Sequence, residues 1–171
     1  MFKRVALVLS IALILAGCYE TTVPLGSPEQ AKVDRNLAGD WSFPAAGDQK
    51  AVSLVLRNLD DKQYYVEWQE AGEKPARCVG IVVPIKDAMF AQVRNLPDDG
   101  SIADKHLIVR VSFKDNKLGI RQLNDKFFDG KAVDTTEKLR AVLEANLENA
   151  DMYDGDYRMG TKQAAEKPAG N

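Results

Sequence analysis

Apolar and polar residues alternate along most of the chain between Gly39 and Leu123, and the alternation predicts strands. "DWSF" begins a short one after Gly39. "AVSLVL" (51–56) places Val52, Leu54 and Leu56 on one face, and "QYYVEWQ" (63–69) opposes Tyr64, Val66 and Trp68 to Tyr65, Glu67 and Gln69. "ARCVGIVVPI" (76–85) is apolar almost throughout, "AMFAQVR" (88–94) sets Met89, Ala91 and Val93 together, and "KHLIVRVSF" (105–113) does the same with Leu107, Val109, Val111 and Phe113. "LGIRQL" (118–123) follows the hairpin signal "KDNK". "NLDD" (58–61) and "EAGEKP" (70–75) are turn chemistry, and "NLPDDGSIAD" (95–104) is a longer loop. Strands spaced near ten residues and joined by short turns predict a mainly β fold. The form expected is an antiparallel meander of about seven or eight strands, partly closed into a barrel.

The period changes after Asp134. "DTTEKLRAVLEANLENA" (134–150) spaces Leu139, Val142, Leu143 and Leu147 for one C-terminal helix, with Asp134 as its cap and Glu137 at the reciprocal capping-box position. "DGDYRMG" (154–160) reads as a brief last strand and 161–171 as a disordered tail.

The N-terminus has a third pattern. Lys3 and Arg4 precede the apolar run Val5–Ala16, which is broken only by Ser10. Its length fits a signal segment and falls short of the ~20 residues a spanning helix needs. The run ends in Leu15, Ala16, Gly17 and Cys18. This order resembles the lipobox of bacterial lipoproteins. The resemblance implies diacylglycerol on the Cys18 sulfur, cleavage between Gly17 and Cys18, and acylation of the freed amine. Two or three acyl chains hold a protein stably on a membrane where one is marginal. Tyr19 after the cysteine, rather than aspartate, implies an outer-membrane anchor with the domain in the periplasm. On this reading 1–17 is a signal peptide and 18–38 an acylated start followed by a flexible tether. Residues 39–160 form one domain. "YETTVPLGSPEQAKVDRNLA" (19–38) has Pro24, Gly26, Ser27 and Pro28 and no sustained period, as a linker would.

With 171 residues the chain suits one domain. Its formal net charge of -2 gives no basic stripe, so nucleic acid is excluded as a partner. Loss of 1–17 removes two positive charges and leaves the domain more acidic, so the acyl chains would do the holding. One histidine and two cysteines argue against a zinc site or a thiol–imidazole enzyme. His106 points away from Leu107 and Val109 and reads as a structural residue with one local hydrogen bond; Asp104 is its only nearby orienting acid, and no nucleophile is marked. Cys78, left alone once Cys18 is acylated, reads as buried and inert. The acidic groups at 59–61, 97–100 and 149–156 match no complete calcium loop and read as turns. Tyr64, Tyr65, Trp68 and Phe90 are candidates for a cavity or contact surface and equally for core. No catalytic residue, metal ligand or cofactor is expected.

Gly39, Asp40 and Trp41 spell G-x-W at the first strand of the meander. The tripeptide, and the order meander, helix, short strand, resemble the lipocalins and the wider calycin group. That likeness implies a calycin-like barrel whose floor is closed by Trp41 packed against a late-strand arginine, here Arg121 or Arg158. A second lipocalin motif and an internal disulfide are both missing. Trp41 reads as core rather than ligand contact. Over about 51–159, "LVLRNLDDKQYYVEWQEAGEK", "VGIVVPIKDAMFAQV", "KHLIVRVSFKDNKLGIRQLNDKFF" and "TTEKLRAVLEAN" look like a group of small bacterial lipoproteins with no assigned activity. The function expected is a lipid-anchored, non-catalytic binding or interaction module of the cell envelope. Its alternatives are a lipocalin-like carrier of an apolar ligand, or an inhibitor, immunity or assembly protein contacting another envelope protein.

Overall fold

A computed structural model describes residues 19–31, 33–97 and 102–164. The expected signal segment 1–17, the Gly17–Cys18 cleavage site and the last part of the expected tail, 165–171, lie outside the described residues. The strands are β1 (Glu20–Thr21), β2 (Gly39–Phe43), β3 (Val52–Asn58), β4 (Tyr64–Glu70), β5 (Ala76–Ile85), β6 (Ala88–Asn95), β7 (His106–Lys114), β8 (Lys117–Gln122) and β9 (Arg158–Lys162). Helices α1 (Asp125–Phe128) and α2 (Thr136–Ala145) lie in the β8–β9 connection.

Every strand pairs antiparallel, and β2 through β9 close into an eight-stranded barrel because β9 bonds both β8 and β2. The expected mainly β barrel is therefore closed, with β1 as an additional strand beside β7. Partners advance steadily around the wall. From Trp41 the register runs through Leu54 and Trp68 to Ala76 and leaves the end of β5 before the circuit is complete. Such stagger is the geometric requirement of tilted strands in a closed barrel. The β7–β8 turn is two residues, Asp115 and Asn116, both at positive φ (52 and 55), the conformation that matches hairpin twist.

The C-terminal helix is present but shorter than 134–150, and its cap is Thr135 rather than Asp134. Thr135 has extended backbone and its side chain accepts from the Lys138 amide at 3.3 Å, which leaves Asp134 to pair with the Lys138 ammonium at 2.7 Å. The last strand starts at Arg158 because Gly155, at φ 81, turns the chain just before it. It also runs past 160. Thr161 and Lys162 pair with Ser42 and Trp41, and the Gln163 amide donates to Asp40, so the start of the expected tail belongs to the barrel.

The larger correction concerns the expected tether. Tyr19 is 4% exposed and its ring stacks on Phe128 with centroids 4.0 Å apart. Glu20 and Thr21 pair with Leu107 and His106, and Leu25 is fully buried. The Leu25 and Gly26 amides donate to Gln92 Oε1, Thr136 Oγ1 donates to the Pro24 carbonyl at 2.7 Å, and Arg140 donates to the Leu25 carbonyl at 3.2 Å. Residues 19–31 thus form a strap across the outside of the wall, and Val33 and Leu37 continue into the core. Proline and glycine dictate irregular backbone here, which composition reads as a linker. Irregular backbone is still buried when outside donors and acceptors satisfy it, as Gln92 and Arg140 do.

Two apolar clusters result. The outer one lies between the wall of β5–β7 and the strap, α1 and α2; it contains Leu25, Val83, Phe90, Ile108, Leu139 and Leu143, all fully buried. The inner one lies within the barrel around Trp41, Phe43, Leu54 and Leu118. Alternation along β5 and β6 sends successive residues to each: Val82 and Ala91 face in, Val83 and Phe90 face out. This is why "GIVVPI" carries no polar face.

Candidate functional site

The barrel interior is the first concave surface to consider. At one side it is solid. Trp41 is 1% exposed, donates from Nε1 to the Leu37 carbonyl at 2.9 Å, and meets Phe113 edge-on at 5.8 Å. Phe43 lies 6.0 Å from Trp68. Gly160 is required beside it, since a Cβ there would come within 2.6 Å of the Phe43 ring. Toward β4, β6 and β7 the filling thins. Val66, Val93, Leu107, Val109 and Val111 share the inward face by register, yet each keeps partial solvent access. A wall residue with backbone behind it and packed side chains before it would be fully buried. Solvent therefore reaches part of this inward face, and the side chains it meets there are apolar.

Neither sequence-singled arginine lies against Trp41. Arg121 alternates with the inward Leu118 and Ile120 and therefore points out, where it sits over the Tyr153 ring at 3.9 Å and donates to the Gly155 carbonyl at 2.8 Å. Arg158 does face in, with Gly160. Its guanidinium lies 6.0 Å from the centre of Phe43 and donates to the Pro44 and Lys50 carbonyls, which ties β9 to the β2–β3 loop. The cation over Trp41 is Lys162, four residues beyond Arg158 on the same face, with Nζ 5.5 Å from the ring centre. Sequence reading missed it because 161–171 was assigned to a tail.

Cys78 faces the lumen next to Val66 and is half-buried. Burial pushes its thiol up to about 11, so little thiolate exists near neutrality. Of the four aromatic candidates the register separates two from two. Tyr64 and Trp68 point in, while Tyr65 and Phe90 point out. Tyr64 is structural: its hydroxyl accepts from the Asp34 amide at 2.6 Å and donates to the Asp34 carbonyl at 3.0 Å, closing the chain before β2 over that end of the barrel.

A cleft of about 290 Å³ opens outside the wall, under the strap. Pro24 and Ser27 flank it from above, and Gln92, Arg94 and His106 form its polar floor. His106 is 8% exposed, and its Nδ1 has no hydrogen-bond partner among the described residues, so the expected local bond is not made at that atom. Burial, then the charge of Arg94, holds its imidazole below the usual pKa. Asp104 is exposed and does not bond to it. Among the described residues no hydrogen-bonded acid orients this imidazole.

Of the described acidic groups, 59–61 forms a tight bend, and 149–156 is a short 3-10 helix followed by a bend. Asp60 Oδ1 accepts from the amides of Lys62 and Gln63, both at 2.7 Å. Among the described residues no group of three His, Cys, Asp or Glu side chains is placed to hold a metal, and no helix is long and apolar enough to cross a membrane. Compared with protein-family models, curated proteins and solved structures, the chain matches none.

Proposed function

We propose that this protein is a lipid-anchored lipoprotein of the bacterial cell envelope whose barrel is a non-catalytic binding module for an apolar or amphipathic ligand. The address is supported by "LAGC" and the charged and apolar segments before it, which favour acyl chains on Cys18, and by Tyr19 in place of aspartate after the cysteine, which favours the outer membrane with the domain in the periplasm. The binding role is supported by one observation above the rest. The inward apolar side chains of β4, β6 and β7 keep solvent access although the strand ladder around them is closed. Water against such a lining is released when an acyl chain or similar group enters, and that release is favourable by about 25 cal/mol per Å². Gln122 of β8 and Arg158 of β9 share the inward face with Leu118 and Ile120 and would offer polar groups to the head of an amphipathic ligand.

The test is a titration of the soluble domain with a fluorescent fatty acid, read through emission of Trp68 and of the probe. Saturable binding is expected, together with its loss in a folded Val109→Trp variant that fills the lumen. A wild-type domain that leaves both signals unchanged would overturn the carrier reading. Cys18→Ser addresses the anchor separately: the precursor should stay uncut and unlabelled by radioactive palmitate.

A further inference from the structure

We propose that the domain docks directly on the lipid surface, in a fixed orientation, through the face formed by the start of the strap, α1 and the entry of β7. The inference rests on acylation of Cys18, as proposed above, and adds what the fold does with that anchor. A lipoprotein domain on a flexible tether of twenty residues would roam roughly 25 Å from its anchor. Here there is no such freedom. Tyr19 is already buried against Phe128, and Glu20 is already in the ladder with β7. One peptide unit, about 3.8 Å between Cα atoms, joins the acylated residue to this fixed point. Acyl chains on Cys18 therefore bring the surroundings of Tyr19 to the headgroups.

Those surroundings fit an interface between water and lipid. Phe127 is half-buried, 5.3 Å from Phe128, with the Lys131 ammonium 3.8 Å from its ring centre. Lys126 is exposed on the same short helix. Lys105, at the entry of β7, is 69% exposed and lies 3.5 Å from Glu20. Three residues before it on the β6–β7 loop, Ile102 is 43% exposed. Aromatic and aliphatic side chains framed by lysines suit the headgroup region, where the long stems lie along lipid and the ammonium groups reach water. Asp125 and Asp129 on and beside α1, and Glu20, nearly balance these lysines. The acyl chains and apolar contacts, rather than charge, hold the face down, so docking should depend little on salt.

The experiment uses the full acylated protein in vesicles of phosphatidylethanolamine and phosphatidylglycerol that carry a headgroup quencher. A thiol fluorophore is placed at Lys126→Cys on α1, or at Ser53→Cys on the outward face of β3 across the barrel, each with Cys78→Ala. Mass spectrometry first establishes the acyl chains on Cys18. Quenching several-fold stronger at position 126 than at 53, unchanged by added salt, is the expected result. Insertion of a Gly-Ser linker between Cys18 and Tyr19 should then abolish the contrast. Equal quenching at the two positions in acylated protein overturns the docking and leaves the anchor standing. Protein without acyl chains overturns the anchor, and the docking with it.

Discussion

The outer and inner apolar clusters share the same wall strands and differ in how completely they exclude water. Outside, Leu25, Phe90, Ile108, Leu139 and Leu143 have no exposure at all, and the strap and α2 seal them. Inside, Trp41, Phe43 and Leu118 are buried, but Val66, Val93, Leu107, Val109 and Val111 are only partly so. A barrel domain is usually pictured with its stabilising core in the lumen. Here the denser packing lies between the wall and what covers it. The inward face can then keep partial solvent access, because burial in the outer cluster supplies stability of its own.

That contrast can be broken by substitution. Leu143→Ala in the outer cluster should cost about 3 kcal/mol, within the usual range for a buried leucine, measured as a shift in denaturant midpoint at constant slope. On the solid side of the lumen, Gly160→Ala should cost about 2 kcal/mol through overpacking against Phe43. On the open side, Val109→Ala should cost under about 1 kcal/mol, since little packing is lost where space already exists. A Val109 variant as damaging as the Leu143 one would show the interior to be as dense as the exterior and end the comparison.

The smallest expected effect comes from His106. Its folded pKa lies below the unfolded value, so the unfolded chain takes up the proton first as pH falls. The stability it contributes is whole above the unfolded value of about 6.5 and is lost as pH drops through that value towards the folded one. His106→Gln should flatten the pH dependence of the unfolding midpoint in this window. A parallel, unflattened curve would place the titration on another group.

The sequence disclosed the wall far better than what covers it. Strands β2 to β4 and β6 to β8 follow from alternation, because their two faces meet different surroundings at every second residue, and β5 follows from its nearly unbroken apolar run. The strap has no such period. Tyr19, Leu25 and Ala31 are buried at irregular spacing, with Val23 partly so, and no local rule marks them. Helix α1 is four residues long, too short to show a helical repeat. Trp41 was legible as core from its type and place, whereas its partner was not. Choosing among Arg121, Arg158 and Lys162 requires the register of β8 and β9, which is set across the barrel seam rather than along the chain. The cleft beside His106 was not legible, since the strap forms one of its sides.

The position of β9 has a consequence for the order in which the molecule is made. It is the last strand described, yet it sits between β2, the first strand of the barrel, and β8. Until Lys162 has been synthesised, β2 and β8 each present an open edge of unpaired amides and carbonyls. The barrel cannot close progressively as the chain emerges, and its final step joins segments more than a hundred residues apart, a slow kind of contact to form. For that interval the chain is an open sheet with two sticky margins, the state in which such proteins aggregate or need an escort.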